Sequence, residues 1–311
     1  MKNQIGVMHP ASFINIALGE IPKAHEGTVF VPEFPEAKNP SMKSIVVDGE
    51  IVAIVSDRYK LIQHEEAFRP IIDGLTVAGV HDFKWQLFHN HSWAKLNLFF
   101  NKATDGVSTI DYGFRVTNSV DGASAINYGF KVNDKRKQVI DVWGMRQVCS
   151  NGMMIRVPLE WHYAFVGEDI SDKDVRTELR VLLKETARIP HLTNAEDKIK
   201  SMQYVAEAMS LLQKPIERII SLSQKWTFEN EEEIKKLIKK YVGERMLDTI
   251  NAQFGKEEET LWGLYNAITY VASHNEISQR TSLSLQEKAG KMLTEVLIQT
   301  HGLDGKGGDA Q

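Results

Sequence analysis

At 311 residues with 42% hydrophobic content, the chain is long enough to bury a core as one large domain or two ordinary ones. A formal charge of −4 excludes coating of nucleic acid through bulk positive charge and leaves a local basic stripe as the route to such binding. The single cysteine, Cys149, excludes an internal disulfide and a cysteine-rich zinc site, and fits a reducing cytoplasm.

The first segment, MKNQIGVMHPASFINIALGE, interrupts its short apolar run at His9, Pro10 and Asn15, which fits poorly with a secretory signal. No run reaches the roughly 20 apolar residues that span a bilayer, so a cytoplasmic protein with no membrane partner is expected. Residues 20–43 hold four of the nine prolines. Proline fixes φ and removes a backbone donor, so residues 1–43 read as an extended arm ahead of the folded core.

A β-rich core is expected over 44–160. It opens with SIVVDGEIVAIVSDRY, where Asp48-Gly49 between two β-branched runs signals a hairpin. A short amphipathic helix follows at about 64–74, with Pro70 expected to break it or to begin its main turn. From 82 to 157 the apolar residues recur at every second position: FKWQLF, the turn HNHS, WAKLNLFF, a repeated pair, then QVIDVWGMRQVCSNGMMIRV. Sequential strands joined by short turns pair antiparallel, so this stretch predicts a β-meander.

The repeated pair is IDYGFRV at 110–116 and INYGFKV at 126–132, linked by NSVDGASA, whose Asx residues and Gly122 supply turn chemistry. Alternation sends Ile110, Tyr112, Phe114 and Val116, and likewise Ile126, Tyr128, Phe130 and Val132, to one face. The other face carries Arg115 and Lys131 beside small or polar residues, and it extends toward Lys135, Arg136, Lys137 and Arg146. These six cations are the candidate phosphate contacts; the competing reading makes them ordinary solvated charges of an amphipathic sheet.

From about 168 to 300 the apolar spacing becomes three and four residues, which predicts a helical C-terminal region over 161–300. Thr227 or Asn230 ahead of Glu231, Glu232 and Glu233 is placed to cap one of these helices. The glycine-rich end, 301–311, reads as a disordered tail. The fold class expected is therefore α+β: an antiparallel β-meander core followed by a mostly helical C-terminal part.

Three motifs, NSVDGASA, then WGMRQVCSNGM at 143–153, then TLWGLYNAITYVASH at 260–274, together resemble the phage/plasmid-like proteins grouped as domain-of-unknown-function family 932. The resemblance runs from SDRYKLIQHEEAF at 56–68 to the last helix. It implies a bacterial, phage or plasmid origin and a cytoplasmic setting. It brings no established activity. Members of that family carry histidine at the position of Val120.

No constellation for chemistry emerges. Cys149 reads as a small buried residue of a strand, and Asn151-Gly152 as the turn that follows it. His89 and His91 share a strand side, but HNHS also supplies hairpin-turn residues. KKLIKKYVGER is basic, yet the EEE before it supplies partners one turn away. No enzyme, metal or cofactor is expected. The function expected is binding of single-stranded DNA or RNA by a homo-oligomer, with strand annealing in recombination or replication as its use. The alternative is a non-catalytic assembly or host-interaction module of a mobile element.

Overall fold

The structure is a computed structural model and describes residues 2–8, 13, 17–31, 34–122, 139–147, 151–158, 181, 188, 192 and 194–300. The strands are β1 (Lys2–Met8), β2 (Ala24–Val31), β3 (Phe34–Val47), β4 (Glu50–Ser56), β5 (Phe83–His89), β6 (Trp93–Thr104), β7 (Thr109–Ser119), β8 (Val139–Arg146) and β9 (Asn151–Pro158). Of the helices whose bounds lie among the described residues, α1 (His64–Val77) precedes β5. The others follow β9: α2 (Ala195–Met209), α3 (Gln213–Lys225), α4 (Glu231–Tyr241), α5 (Leu247–Phe254), α6 (Leu261–His274) and α7 (Gln279–Thr300). The fold is α+β, with antiparallel strands first and a mostly helical C-terminal part. Among the described residues, no helix is long and apolar enough to cross a membrane.

Two antiparallel sheets form: a six-stranded one in the order β1-β5-β6-β7-β8-β9 and a three-stranded one in the order β2-β3-β4. From β5 onward the spatial order follows the chain, which is the expected meander. The second copy of the repeat, the tail after 300 and Cys149 lie outside the described residues, as does nearly all of 161–193 in the expected helical region. The chain divides into two compact units. One comprises Met1–Phe100, Arg115–Gly129 and Lys184–Glu207, and the other Asn101–Phe114, Phe130–Leu183 and Ala208–Gln311. These units cut across the boundaries expected from composition.

In the first unit the expected arm is a paired structure. β2 and β3 pair along this segment, β3 with Pro35 and Pro40 inside it, with register shifts between Thr28 and Val31. The turn at Asp48-Gly49 has φ of 50° and 83°, and Val47 faces Glu50 across it. Positive φ at both central residues matches the right-handed twist of the flanking strands, which is why Asp-Gly signals this hairpin. Ala24, Ile45, Val47 and Val120 form a small core beneath the sheet, with Val52, Val55, Tyr59 and Leu61 against it.

Helix α1 runs through Pro70 without a break, where the proline predicted one. An interior proline costs a helix about 3 kcal/mol. Phe68, Ile71, Ile72 and Leu75 are fully buried, and each such side chain contributes about 1.5–3 kcal/mol. Burial on both sides of Pro70 therefore outweighs the lost hydrogen bond. Gln63, just before the helix, fixes its start by accepting from the Ala24 N–H at 3.0 Å and donating to the Ala24 carbonyl at 2.9 Å.

In the second unit, β8 and β9 pair from Val139↔Pro158 to Arg146↔Asn151. Asn151 and Gly152 therefore open β9 as paired strand residues, where the sequence suggested a turn. Helix α6 is buried almost all round, not on a single stripe. The Tyr265 hydroxyl donates to the Met154 carbonyl at 2.9 Å, and the Thr294 hydroxyl of α7 donates to the Arg156 carbonyl at 2.9 Å, which ties both helices to β9. Thr260 caps α6 and Asn230 caps α4, each accepting a backbone N–H three residues on.

Gly74 is where α1 meets α2. A Cβ there would stand 2.4 Å from the Met202 Cβ and 3.1 Å from the Ile199 carbonyl oxygen. Gly74→Ala is expected to destabilise by about 1–3 kcal/mol, as overpacking does. Gly19→Ala, with nothing within 4 Å, should leave the thermal midpoint nearly unchanged; equal midpoints for the two variants would refute the close approach of the two helices.

Candidate functional site

Of the six cations singled out by sequence, Lys131, Lys135, Arg136 and Lys137 lie outside the described residues. Arg115 is only 4% exposed, and its Nε donates to Asn97 Oδ1 at 2.7 Å. This corrects the placement expected from alternation, which set Arg115 on an outward face. Arg146 is paired with Asp105 at 2.6 Å. Burial acts to raise the Asp105 pKa, but the backbone N–H groups of Ser108 and Val107 and the Arg146 guanidinium hold it below the usual carboxylate range. Arg146 thus serves an internal ion pair of the second unit.

The structure places two other cations with Arg115. Cross-strand partners share a face, and the register of β5 with β6 pairs Gln86 with Asn97, Lys84 with Phe99, and Phe88 with Lys95. Asn97 Nδ2 donates to Gln86 Oε1 at 3.0 Å and takes Arg115 in turn, so Gln86, Asn97 and Arg115 form a polar row across three adjacent strands. Lys84 and Lys95 flank the row and are half-buried. Lys95 also sits 5.4 Å from the centroid of the half-buried Trp93 ring. Within the first unit, the strand residues 83–89, 93–100 and 115–119 contain no Asp or Glu. Sequence reasoning missed Lys84 and Lys95, although FKWQLF and WAKLNLFF each carry one cation in a period-two run. The missing signal was register, which decides whose faces coincide.

The opposite face carries a second polar cluster. His64, at the start of α1, accepts at Nδ1 from the Asn118 amide at 3.0 Å, and the same amide donates to the Ile62 carbonyl at 3.1 Å. Burial, reinforced by His89, pushes the His64 pKa down to about 4, with Asp121 pulling the other way. Ser119 bonds Asp121, and the Tyr59 hydroxyl reaches the Val120 carbonyl at 3.3 Å. Tyr59 itself is raised by burial and by Asp121.

The HNHS turn separates its two histidines. Asn90 Oδ1 accepts the backbone N–H groups of Ser92 and Trp93, both at 2.9 Å, which closes an Asx turn. His89 is buried, whereas His91 is exposed, 3.6 Å from Asp48. Among the described residues, no group of three or more His, Cys, Asp or Glu side chains is placed to hold a metal ion. The basic run of α4 is largely neutralised: Lys235 pairs with Glu232 at 2.9 Å, Lys239 with Glu244 at 2.9 Å, and Lys240 lies over the Tyr241 ring.

Compared with protein-family models, with curated proteins and with solved structures, the chain matches none. The functional reading therefore rests on geometry and on the sequence motifs.

A His64 side chain held neutral has a definite pH signature. Its folded pKa lies below its unfolded value of 6.5, so its contribution is complete above pH 6.5 and is lost as pH falls toward 4. The shift corresponds to about 3 kcal/mol by pH 4. Urea unfolding between pH 7 and pH 5 should show a shallower loss of stability for His64→Gln than for the unaltered protein. Parallel curves would mean that His64 takes up a proton without penalty.

Proposed function

We propose that the protein binds single-stranded nucleic acid without reading sequence, using the face of β5, β6 and β7 that carries Lys84, Lys95 and Arg115. The observation that carries this reading is the gathering of three cations on one sheet face from residues 83–89, 93–100 and 115–119, which hold no Asp or Glu. Phosphate neutralisation needs such local segregation in a chain of net charge −4. Lys84 and Lys95 supply the accessible charge, Trp93 a ring for a base, and Arg115 the fixed positive potential behind them. Lys131, Lys135, Arg136 and Lys137 belong to the same reading through their place in the sequence. The motif resemblance to phage/plasmid-like proteins supports annealing or recombination as the setting, in the cytoplasm of a bacterial cell.

Fluorescence anisotropy with labelled oligo-dT and oligo-rU at low salt tests this reading. Lys84→Gln/Lys95→Gln should weaken binding about tenfold or more and lower the salt slope by about 0.7 for each phosphate that is no longer neutralised. Absence of any anisotropy change at micromolar protein, or a double variant that binds as well as the parent, would remove the sheet face from consideration.

A second reading, an assembly module, is favoured by a separate observation. In the three-stranded sheet, Met42, Ile51 and Ile54 are 38%, 66% and 56% exposed, and Phe30 is 53% exposed. Register puts Met42, Ile51 and Ile54 on one face, because Ser56 faces Met42, Ser44 faces Ile54 and Val46 faces Ile51. β4 ends that sheet's order, so a second copy of the chain is the occupant proposed for this face. Light scattering should find an oligomer that Ile51→Glu/Ile54→Glu dissociates while the variant stays folded by circular dichroism. A monomeric parent would eliminate self-assembly through this sheet.

A further inference from the structure

The edge of a sheet exposes unpaired N–H and C=O groups, and natural chains cover, bend or charge such edges to keep other strands away. Two edges are closed by the protein itself. In the second unit, α6 and α7 cap the outer side of β9: Ser273 Oγ accepts the Gly152 N–H at 3.1 Å, and the carbonyls of Met154 and Arg156 accept from Tyr265 and Thr294, both at 2.9 Å. In the first unit, β2 is blunted by Gln63, which takes both backbone groups of Ala24, and by the register shifts between Thr28 and Val31.

β4 is left uncovered. It ends the three-stranded sheet, and among the described residues the backbone of 51–55 is paired only with β3. Its sequence, EIVAIVS, contains no proline or lysine, and the apolar run at its centre favours extended pairing. One register shift makes Val52 an extra residue opposite β3, whereas residues 53–56 pair regularly.

The two ends of β4 differ in charge. Asp48 and Glu50 stand at its start, and Arg58 and Lys60 follow its end, with Asp57 the acid among them; all are exposed. Asp48 lies 3.6 Å from His91, but Glu50, Arg58 and Lys60 have no ion-pair partner among the described residues. Two copies of β4 aligned antiparallel bring the acidic start of each to the basic end of the other. Parallel alignment sets like charges side by side, which is unfavourable. With Ile54 on a two-fold axis, Glu50 and Arg58, each four positions away, are brought together. Ala53 then opposes Val55, and both already face the core side of the sheet, so no side chain has to change faces.

We infer that two copies of the chain join by antiparallel pairing of β4 with β4 about Ile54, merging two three-stranded sheets into one. The inference rests on the assembly reading above and specifies that the copies meet strand beside strand. Ile54 of one copy lies next to Ile54 of the other, which covers part of the apolar surface that each exposes alone.

Disulfide trapping in a Cys149→Ser background and sedimentation equilibrium test this on the full chain. Ile54→Cys should cross-link on mild oxidation, because directly opposed Cα atoms of antiparallel strands stand about 4.5–5.5 Å apart, within disulfide reach. Ile51→Cys should not, since its two copies are about 20 Å apart along the paired strands. Glu50→Arg and Arg58→Glu should each weaken dimerisation about five- to tenfold, because each removes two symmetric ion pairs, and the double reversal should restore it. A parent that stays monomeric at sub-millimolar concentration would remove the assembly reading and this inference together. A dimer in which Ile54→Cys fails to cross-link, in which Ile51→Cys cross-links equally, or in which the double reversal stays as weak as the single variants would overturn edge pairing alone.

Discussion

Arg115 donates to Asn97, and Asn97 donates to Gln86, so one continuous row of polar side chains crosses three strands of the large sheet. All three residues are buried. Burying a charge is costly, and the bond from Arg115 Nε to Asn97 offsets part of that cost. The row therefore constrains its neighbours: β5, β6 and β7 must keep one register for the donors and acceptors to meet. A one-residue slip would send Gln86 and Asn97 to the other face. The apolar partners of that register, Leu87 with Leu96 and Trp85 with Leu98, are fixed by the same pairing.

Because β7 carries polar residues on both sides, each face has its own chemistry. Asn118 projects toward α1 and engages His64, whereas Arg115 points the other way. Val116 and Tyr112 are as deeply buried as Arg115 and Asp111. The strand thus departs from the usual antiparallel pattern of one wet and one dry face. Alternation in IDYGFRV identified a strand and separated its two sets of side chains. It carried no information on whether the polar set would meet solvent.

Much of the fold was legible because local chemistry and tertiary structure agree. Asp48-Gly49 turns the chain where its φ preferences predict, and Asn230 caps a helix as its side chain allows. The meander follows from period-two runs joined by short turns. Where local signals failed, long-range burial had overridden them. Pro70 stays helical because four fully buried apolar side chains hold the turns around it. The proline-bearing segment before residue 44 forms strands because β3 finds partners on both sides, β2 and β4. Asn151-Gly152 reads as a turn by composition, but pairing with Met145 and Arg146 draws both residues into β9.

The candidate site was less legible for a related reason. Sequence shows charges in runs, and runs such as KKLIKK attract attention, yet a helix places acids and bases within one turn and so neutralises them locally. Glu232 does this for Lys235, and Glu244, just beyond the helix, pairs with Lys239. In a sheet, neighbours come from distant parts of the chain, so cations in separate strands can share a face without forming a run in the sequence. Lys84 and Lys95 are 11 positions apart in the sequence and flank the same polar row. For a chain with excess negative charge, segregation of this kind is what separates a local positive potential from the net charge. It arises here from strand register, which no single segment of the sequence displays.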